Sequence, residues 1–410
     1  MNNWKTLLPL FMVIFVDVIG LCMVFPILAP LFYDPQLSIL PTETSETVRS
    51  LFYGMMLTMW PLFMFISAPI LGDLSDKIGR KKVLLICLFG EAISYLVGAM
   101  AVTTASLILF IISRILAGTF AGSQPIAQAA IADISTPETR TRNISYIVLA
   151  STLGVVLGPL IGGVTAENSF LSWFTASTPF QIAALIALLN AVLLIISFKE
   201  THEQKKPQKI NLFKGFFLFA DGFKNKKIRY LSFAFFFVQL SWSLYFQSLA
   251  YFLVKKYHFT TAHIGFFYAV LGLASVVTLT YIIRALIKIL KSDNLIFAVG
   301  AALQIAGTLS AAIFTSLPWE YTALVLTSAG ISLTYTVGIS LYSSQVSSLH
   351  QGWIMGISAA VFGVAWAMTA ITTGALSAIS PILPFAAAGV FAAIGLYFIY
   401  IQNRASRNVA

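Results

Sequence analysis

Runs of about 20 apolar residues recur along the whole chain, separated by short polar segments. A helix of that length is about 30 Å long, which matches the hydrocarbon thickness of a lipid bilayer. The sequence therefore predicts an all-α integral membrane protein.

Twelve such runs follow one another, six in each half of the chain. Those of the first half cover 7–33, 50–71, 83–103, 106–133, 143–165 and 179–198. Those of the second half cover 229–254, 263–283, 293–315, 318–347, 353–378 and 381–402. An even number of spans places both termini on one side of the membrane. The composition agrees, because 10% charged residues is far below the roughly 25% of a soluble domain.

Basic residues set the orientation, because short cytoplasmic loops collect Lys and Arg. Placing the N-terminus in the cytoplasm puts nearly all of them on that side. Arg49, Lys255 and Lys256 face the other way, and Arg114 lies within a run. The net charge of +10 is therefore spread over membrane flanks, and we expect no nucleic-acid partner. The predicted location is the cytoplasmic (inner) membrane of a bacterium.

One long polar stretch divides the chain between the sixth and seventh runs. It predicts an N-terminal six-helix bundle over 1–198, a cytoplasmic linker over 199–228 and a C-terminal six-helix bundle over 229–410. The middle of the linker, 211–223, mixes phenylalanines with Lys214 and Asp221. Both an interfacial amphipathic helix and an irregular loop fit this pattern.

Enzyme and metal chemistry find little support in the sequence. The two cysteines are too few for a zinc cluster, and none of the four histidines is central in a run. The phosphate-loop pattern G-x-x-x-x-G-K-[ST] does not occur, so any energy must come from an ion gradient or from the gradient of the substrate. We expect no catalytic residues, no cofactor and no metal.

A charged island, Gly72-Asp-Leu-Ser-Asp-Lys-Ile-Gly-Arg80, separates the second and third runs. Position for position, it resembles G-x-L-[SA]-D-[RK]-x-G-R-[RK], the loop signature between the second and third helices of the major facilitator superfamily of secondary transporters. The resemblance implies two bundles of six helices, twelve in all, with both termini in the cytoplasm. It also implies transport by alternating access around a central site.

We interpret the signature loop as a conformational latch between the two halves. The matching residues here are Gly72, Asp76, Gly79, Arg80 and Asp133. Asp76 is expected to accept hydrogen bonds from exposed amides at the start of the eleventh helix, where the helix dipole favours an anion. Arg80 is expected to pair with Asp133 at the end of the fourth helix. A loop serving orientation alone would need basic residues but neither Asp76 nor Gly79.

Three ionisable residues lie deep within predicted spans: Asp17 in the first, Glu91 in the third and Arg114 in the fourth. A charge there costs at least about 2.5 kcal/mol, so such residues usually face a bundle interior or a water-filled cavity. Asp17 and Glu91 can exchange protons, whereas Arg114 can act only as a fixed counter-charge. We expect all three to take part in proton coupling. Structural hydrogen bonding is the alternative for the two acids.

Two further family patterns occur in the fourth and fifth spans. Arg114-Ile-Leu-Ala-Gly118, continuing to Gly122, resembles the R-x-x-x-G motif that the family links to proton transfer. The second pattern matches the antiporter motif G-x-x-x-G-P-x-x-G-G through Gly154, Gly158, Pro159, Gly162 and Gly163. Glycines four residues apart also let a partner helix approach, and proline permits a bend, so tight packing is expected as well.

The N-terminal half resembles the proton-linked drug efflux branch that includes tetracycline/proton antiporters. Beyond the motifs above, the shared features are Asp17 in Asp-x-x-Gly20 and Ala132-Asp133. One departure concerns a third-helix aspartate before a tyrosine, which is Ser94 before Tyr95 here. Glu91 lies nearly one turn earlier and is the candidate replacement. Tetracycline itself is not implied as the substrate.

By the same resemblance, the first, fourth, seventh and tenth helices line the central cavity. The candidate substrate contacts are Gln124, Gln128, Gln239, Trp242, Phe246 and Gln247. Aromatic rings with a few amides suit a small, largely apolar organic molecule, although helix packing is an alternative role for each residue. We therefore predict a monomeric transporter that exports such a molecule in exchange for protons. An importer, or a dedicated metabolite or siderophore carrier of the same fold, is the alternative.

Overall fold

The computed structural model describes residues 4–135, 137–201, 213–314, 316–346 and 351–407. All regular structure within these ranges is helical, as the apolar runs predicted. Eleven of the described helical segments are long and apolar enough to cross a membrane, and they cover every predicted run except the fifth. The fifth run contains the shorter apolar segment Leu149–Thr165. The count of twelve spans therefore stays a prediction.

Within the described residues, eight helices precede the linker. They are α1 Trp4–Leu28, α2 Pro30–Tyr33, α3 Glu46–Ile78, α4 Arg80–Thr103, α5 Leu107–Phe120, α6 Ser123–Asp133, α7 Pro137–Thr165 and α8 Thr178–Ser197. The remaining helices are α9 Lys214–Lys224, α10 Arg229–Tyr257, α11 Thr261–Val277, α12 Ile283–Leu290, α13 Asp293–Ile313, α14 Leu317–Ser344, α15 Gln351–Ile379 and α16 Leu383–Arg407. A π-helical turn, Thr278–Ile282, joins α11 to α12.

Side-chain and backbone packing group the described residues into two compact units. The first contains those of Met1–Thr44, Met59–Leu212 and His258–Ala269. The second contains those of Ser45–Thr58, Phe213–Tyr257 and Val270–Ala410. Helices α3 and α11 thus contribute to both units. The predicted division into 1–198, 199–228 and 229–410 stays a prediction.

The fourth predicted span is not one continuous helix, because it is broken between α5 and α6 at Ala121 and Gly122. Pro125 explains the break: it has no backbone N–H to bond to the carbonyl of Ala121, four residues earlier. A second consequence is that α6 begins at Ser123, in the middle of the span. The first backbone N–H groups of this helix are therefore available to a ligand or side chain.

A buried apolar cluster joins α1, α4, α6, α7 and α8 in the first unit. Ile14, Leu88 and Ala127 are fully buried members of it. Each lies about one helical turn from a polar residue of the first unit: Asp17, Glu91 and Ser123, respectively. The packing of this cluster therefore fixes where these three polar side chains meet.

The linker contains a helix, α9, and so the alternative of an irregular loop is wrong for Lys214–Lys224. Residues 202–212 lie outside the described part of the chain, and they include the first two residues of the predicted 211–223 segment. Helix α9 packs against α15 and α10 within the second unit. A separate apolar cluster, including Phe235, Phe297 and Val361, forms the core of that unit.

Candidate functional site: a buried carboxyl pair

Two carboxyl groups from different helices meet at the break between α5 and α6. The hydroxyl oxygen of Ser123 lies 2.7 and 2.6 Å from the two carboxyl oxygens of Asp17, and 3.1 Å from Oε1 of Glu91. This hydroxyl carries one hydrogen, so it can donate to only one of the three acceptors. Asp17 and Glu91 also interact with each other directly. The sequence analysis identified both acids but not the serine that joins them.

The surroundings of the pair have two opposite effects on the stability of its charged form. Glu91 is only 4% exposed, and its Oε2 atom has no hydrogen-bond partner among the described residues. Such burial disfavours charge. On the other side, the backbone N–H of Gln124 bonds to Asp17 at the start of α6. A helix N-terminus carries a partial positive charge and favours an anion. The carboxyl pair is therefore held where either charge state can be stabilised.

A small cavity of about 40 Å³ opens beside the pair. It is lined by Asp17, Val18, Leu21, Trp60, Met64, Glu91, Tyr95, Ala117, Ala121 and Gln124. A cavity of this size holds water, but drug-sized ligands need roughly 300 Å³ or more. The cavity can therefore hold water beside the carboxyl groups, and it is too small to hold an organic substrate.

Tyr95 lies next to the pair and packs closely against α1. A methyl group built on Gly20 would lie 2.8 Å from the ring carbon Cζ of Tyr95, so a side chain at position 20 would displace the ring. The tyrosine is within electrostatic range of Glu91, Asp17 and Arg114. Its hydroxyl group therefore lies in the electrostatic field of both acids and of the buried guanidinium of Arg114.

Arg114 forms no ion pair with Asp17 within the described residues. Its guanidinium carbon lies 5.4 Å from the ring centre of Phe110 and 5.5 Å from that of Phe180. Its Nε donates a long hydrogen bond of 3.4 Å to Ser113. The guanidinium is thus held by aromatic faces, an arrangement that stabilises a buried cation. Any effect of Arg114 on the charge of Asp17 must therefore be a long-range electrostatic interaction. Tyr95 interacts electrostatically with both residues.

The signature loop places Arg80 between two acids of the first unit. Its NH1 atom lies 2.8 Å from Asp76 and its Nε lies 3.3 Å from Asp133. NH1 also donates a 2.6 Å hydrogen bond to Ser75. The contact between Arg80 and Asp133 expected from the sequence is therefore present. The contact of Asp76 with the eleventh helix, and the role of the loop as a latch, stay predictions.

The two glycines of the signature differ in what they do. Gly79 has a φ angle of +108°, a conformation that favours glycine, and it precedes α4. The carboxylate of Glu200 accepts hydrogen bonds there from the backbone N–H groups of Arg80 (2.9 Å) and Lys81 (3.1 Å). In contrast, a methyl group on Gly72 would meet nothing within 4 Å. The backbone conformation therefore requires glycine at position 79, whereas neighbouring atoms would leave room for a side chain at position 72.

The antiporter motif of α7 brings its glycines against α1. Methyl groups at Gly154 and Gly158 would lie 2.8 Å from Val18 and 2.6 Å from Cys22, and one at Gly162 would clash with the backbone of Met23. The four-residue spacing therefore lets two backbones approach, as expected. These contacts tie the motif to the helix that carries Asp17.

The remaining motif residues, Pro159 and Gly163, face the start of α11. A methyl group at Gly163 would lie 2.9 Å from the Cα atom of Gly265, and one at Gly265 would clash with the carbonyl of Pro159. Just beyond the motif, Glu167 accepts hydrogen bonds from Thr261 (2.5 Å) and from the backbone N–H of Ala262 (2.7 Å). The carboxylate thus caps the first turn of α11.

The candidate cavity residues fall into different environments. Gln124 lines the small cavity beside Asp17, whereas Gln128 is exposed. On α10, Gln247 is buried and donates hydrogen bonds to the Trp366 carbonyl and to Thr369 of α15. Its environment is therefore that of a helix-packing residue.

The other α10 candidates lie beside an aromatic arc. Rings are in contact from Trp242 through Phe246 to Trp366, at centroid distances of 5.2 and 5.8 Å. Gln239 is fully buried, and neither its amide nitrogen nor its amide oxygen has a hydrogen-bond partner among the described residues. An amide in that state can bind a polar group of a ligand.

The model of the family described as the Major Facilitator Superfamily matches residues 10–303, which is more than half of the chain. The chain belongs to this superfamily. Its members are transporters and not enzymes. The predicted family and the predicted lack of enzyme activity are therefore confirmed.

Curated relatives of this superfamily member include tetracycline resistance proteins. The class C protein of Escherichia coli is 27% identical over 362 residues, which is 88% of this chain and 87% of that protein. The class H protein of Pasteurella multocida is 30% identical over 201 residues, which is 49% of this chain and 46% of that protein. The similarity supports the drug-efflux branch of the superfamily.

Solved structures show the same fold. The human organic anion transporter MFSD10 superposes with a TM-score of 0.73 at 19% identity and covers 97% of this chain and 100% of its own. A D-xylose-proton symporter superposes with a TM-score of 0.77 at 17% identity and covers 98% of each chain. At these identities the likeness establishes the fold of a multi-pass membrane transporter and no more.

Three site features were missed by the sequence reasoning. Ser123 carries no charge, and its importance depends on the break that Pro125 causes; the string Gly122-Ser-Gln-Pro125 was the available signal. Glu167 and Glu200 were missed because each caps a helix that is distant in sequence. Neither contact leaves a local pattern in the chain.

Proposed function

We propose that this chain exports a small, largely apolar organic molecule in exchange for protons, by alternating access across a bacterial inner membrane. The observation that carries the proposal is the carboxyl pair of Asp17 and Glu91 on the single hydroxyl of Ser123. Two like charges this close repel each other, and one shared proton relieves the repulsion. The pair is therefore suited to bind and release one proton during each cycle.

The antiporter motif supports exchange rather than symport. Its glycines hold α7 against the helix of Asp17, so that a movement of α7 is transmitted to the carboxyl pair. Helix α11 packs on a neighbouring face of α7 through Gly163. A change in the position of α7 can thereby link the proton site to α11.

The substrate is inferred to bind apart from the proton site, since the cavity beside Asp17 is too small for an organic molecule. The buried amide of Gln239, which has no hydrogen-bond partner among the described residues, and the rings of Trp242 and Phe246 suit a molecule with an aromatic or other apolar surface and a polar group. Twelve spans, cytoplasmic termini and a monomeric transporting unit complete the proposal.

Transport in proteoliposomes tests the function. Tetracycline is the first probe, because resistance proteins similar to this chain are named after it. Other planar aromatic antibiotics are tested next. Acidifying the side that corresponds to the cell exterior should move the substrate toward that side against its gradient. A proton gradient of 100 mV supplies about 2.3 kcal/mol per proton, enough for a concentration ratio near 50. Accumulation on the opposite side under the same gradient would support the importer alternative.

A further inference from the structure

Helix α9 packs one of its faces firmly against the second unit. A methyl group on Gly222 would lie 2.9 Å from Ile357, which shows how closely the helix approaches α15. Toward α10, the rings of Phe219 and Phe223 each lie 5.9 Å from the ring of Phe236. These contacts fix both the position and the rotation of α9.

The face of α9 that points away from this packing is also apolar. Phe213, Phe216 and Phe217 are 62%, 52% and 61% exposed. At 100° per residue they share one stripe, opposite the stripe that contains Gly222. Three adjacent exposed phenylalanines on a surface helix indicate contact with lipid or another apolar partner.

The level of α9 along the second unit identifies lipid as that partner. Helix α9 touches α10 at Ser232 and Phe236, and α15 at Gly356 and Ile357. These positions lie within the first two turns of two membrane-spanning helices, roughly 5 to 10 Å from their first residues at 1.5 Å per residue. That depth corresponds to the boundary between headgroups and acyl chains.

The charge around the stripe specifies the kind of lipid. Lys224 ends α9, and Lys226 and Lys227 follow after Asn225; all three lysines are exposed. Asp221 is the single acid of the segment 213–229. Lysines beside an inserted apolar face are attracted to anionic headgroups, roughly fivefold in affinity for each lysine near the surface.

We propose that α9 is a binding site for anionic phospholipid, with the three phenylalanines in the acyl region and Lys224, Lys226 and Lys227 on the phosphate groups. The inference is independent of substrate and of proton coupling. Because α9 is packed on α10 and α15, the bound lipid would stabilise the second unit.

The depth of the helix can be measured with a fluorophore. Phe217→Cys is labelled with an environment-sensitive dye in the full chain, where both native cysteines are buried. In phosphatidylcholine–phosphatidylglycerol bilayers, lipids spin-labelled near the headgroup should quench the dye, and aqueous iodide should not. Ser344→Cys, exposed at the end of α14, is the control and should give the reverse. If iodide quenches the dye at position 217, the proposal is overturned. This holds whether or not a protein partner is bound there.

Charge selectivity requires a second measurement. The triple variant Lys224→Gln, Lys226→Gln, Lys227→Gln is compared with a matched variant in which three basic residues of α12 and its C-cap, Arg284, Lys288 and Lys291, are all changed to Gln. Thermal unfolding is followed in nanodiscs as phosphatidylglycerol replaces phosphatidylcholine. The parent and the α12 variant should be stabilised at low phosphatidylglycerol, and the α9 variant should need at least tenfold more. Equal responses of all three proteins would refute a headgroup site on α9.

Discussion

At the scale of single residues, the arrangement around Ser123 gives the two acids different environments. Asp17 has the start of α6 beside it, so that charge on Asp17 is compensated locally. Glu91 is almost fully buried, and its Oε2 atom has no hydrogen-bond partner within the described residues. The energetic cost of charging Glu91 is therefore higher. A proton that enters the pair should reside on Glu91 when Asp17 is charged.

The first prediction tests whether both acids are needed for coupling by neutralising each of them in turn. Asp17→Asn should abolish uphill transport and retain substrate binding, because the amide cannot exchange a proton. Glu91→Gln resembles the protonated acid, so it should fold well and also lose coupling. Proton release upon substrate addition in detergent, measured with a pH indicator, should vanish in both variants. If Asp17→Asn still pumps and releases protons as the parent does, Asp17 has a structural role.

The second prediction concerns the bridging hydroxyl. Ser123→Ala removes the one donor that the two carboxyl groups share, and the buried acceptors left behind cost about 1–3 kcal/mol. The variant should therefore unfold at a lower temperature while both acids remain. Infrared difference spectra between low and high pH should show the protonated-carboxyl band of the pair shifted from its parental position. An unchanged band and an unchanged melting temperature would exclude the bridge.

At the scale of helices, glycine spacing determines how α7 packs, and the sequence indicated this correctly. Gly154, Gly158 and Gly162 contact α1 as the four-residue spacing implied. The break between α5 and α6 was not foreseen, because hydropathy averages over it. Nor could hydropathy show that Arg114 faces Phe110 and Phe180, since the rotation of α5 depends on its packing against α4. The lengths of the apolar runs thus predicted the spans, whereas tertiary contacts determined the site.

The third prediction tests the packing with two glycines in helices. Gly162→Ala places a methyl group against the backbone of Met23, so overpacking should destabilise the protein by about 1–3 kcal/mol. Gly72→Ala is the matched control, with open space around it, and should be neutral or gain up to about 1 kcal/mol from helix propensity. Thermal unfolding in detergent measures both. Equal losses of stability in the two variants would contradict the close approach of α7 to α1.

The fourth prediction tests the helix break. Pro125→Ala supplies the missing N–H, which can bond to the carbonyl of Ala121 and draw α5 and α6 into one helix. The N–H of Gln124 would then turn away from Asp17. We expect a protein that is at least as stable as the parent but has impaired proton coupling. A variant with parental coupling would mean that the break is not required by the carboxyl pair.

At the scale of the whole molecule, function depends on which side of the membrane each loop faces. The family and the fold follow from the chain, but export requires that protons enter from the exterior side. The basic residues around α9 and the signature loop predict that these segments are cytoplasmic. The loop between α7 and α8, with its exposed Trp173, is then exterior.

The fifth prediction is therefore the orientation itself. Cys22 and Cys87 are buried, so a single introduced cysteine reports its own surroundings. Trp173→Cys should react with a membrane-impermeant maleimide in intact cells, and Lys227→Cys should react only after the membrane is opened. The opposite result would place the linker outside, because all loops invert together when both termini lie on one side. Protons driven into the cell would then reach the carboxyl pair from the opposite end of the protein, and the importer alternative would become the better description.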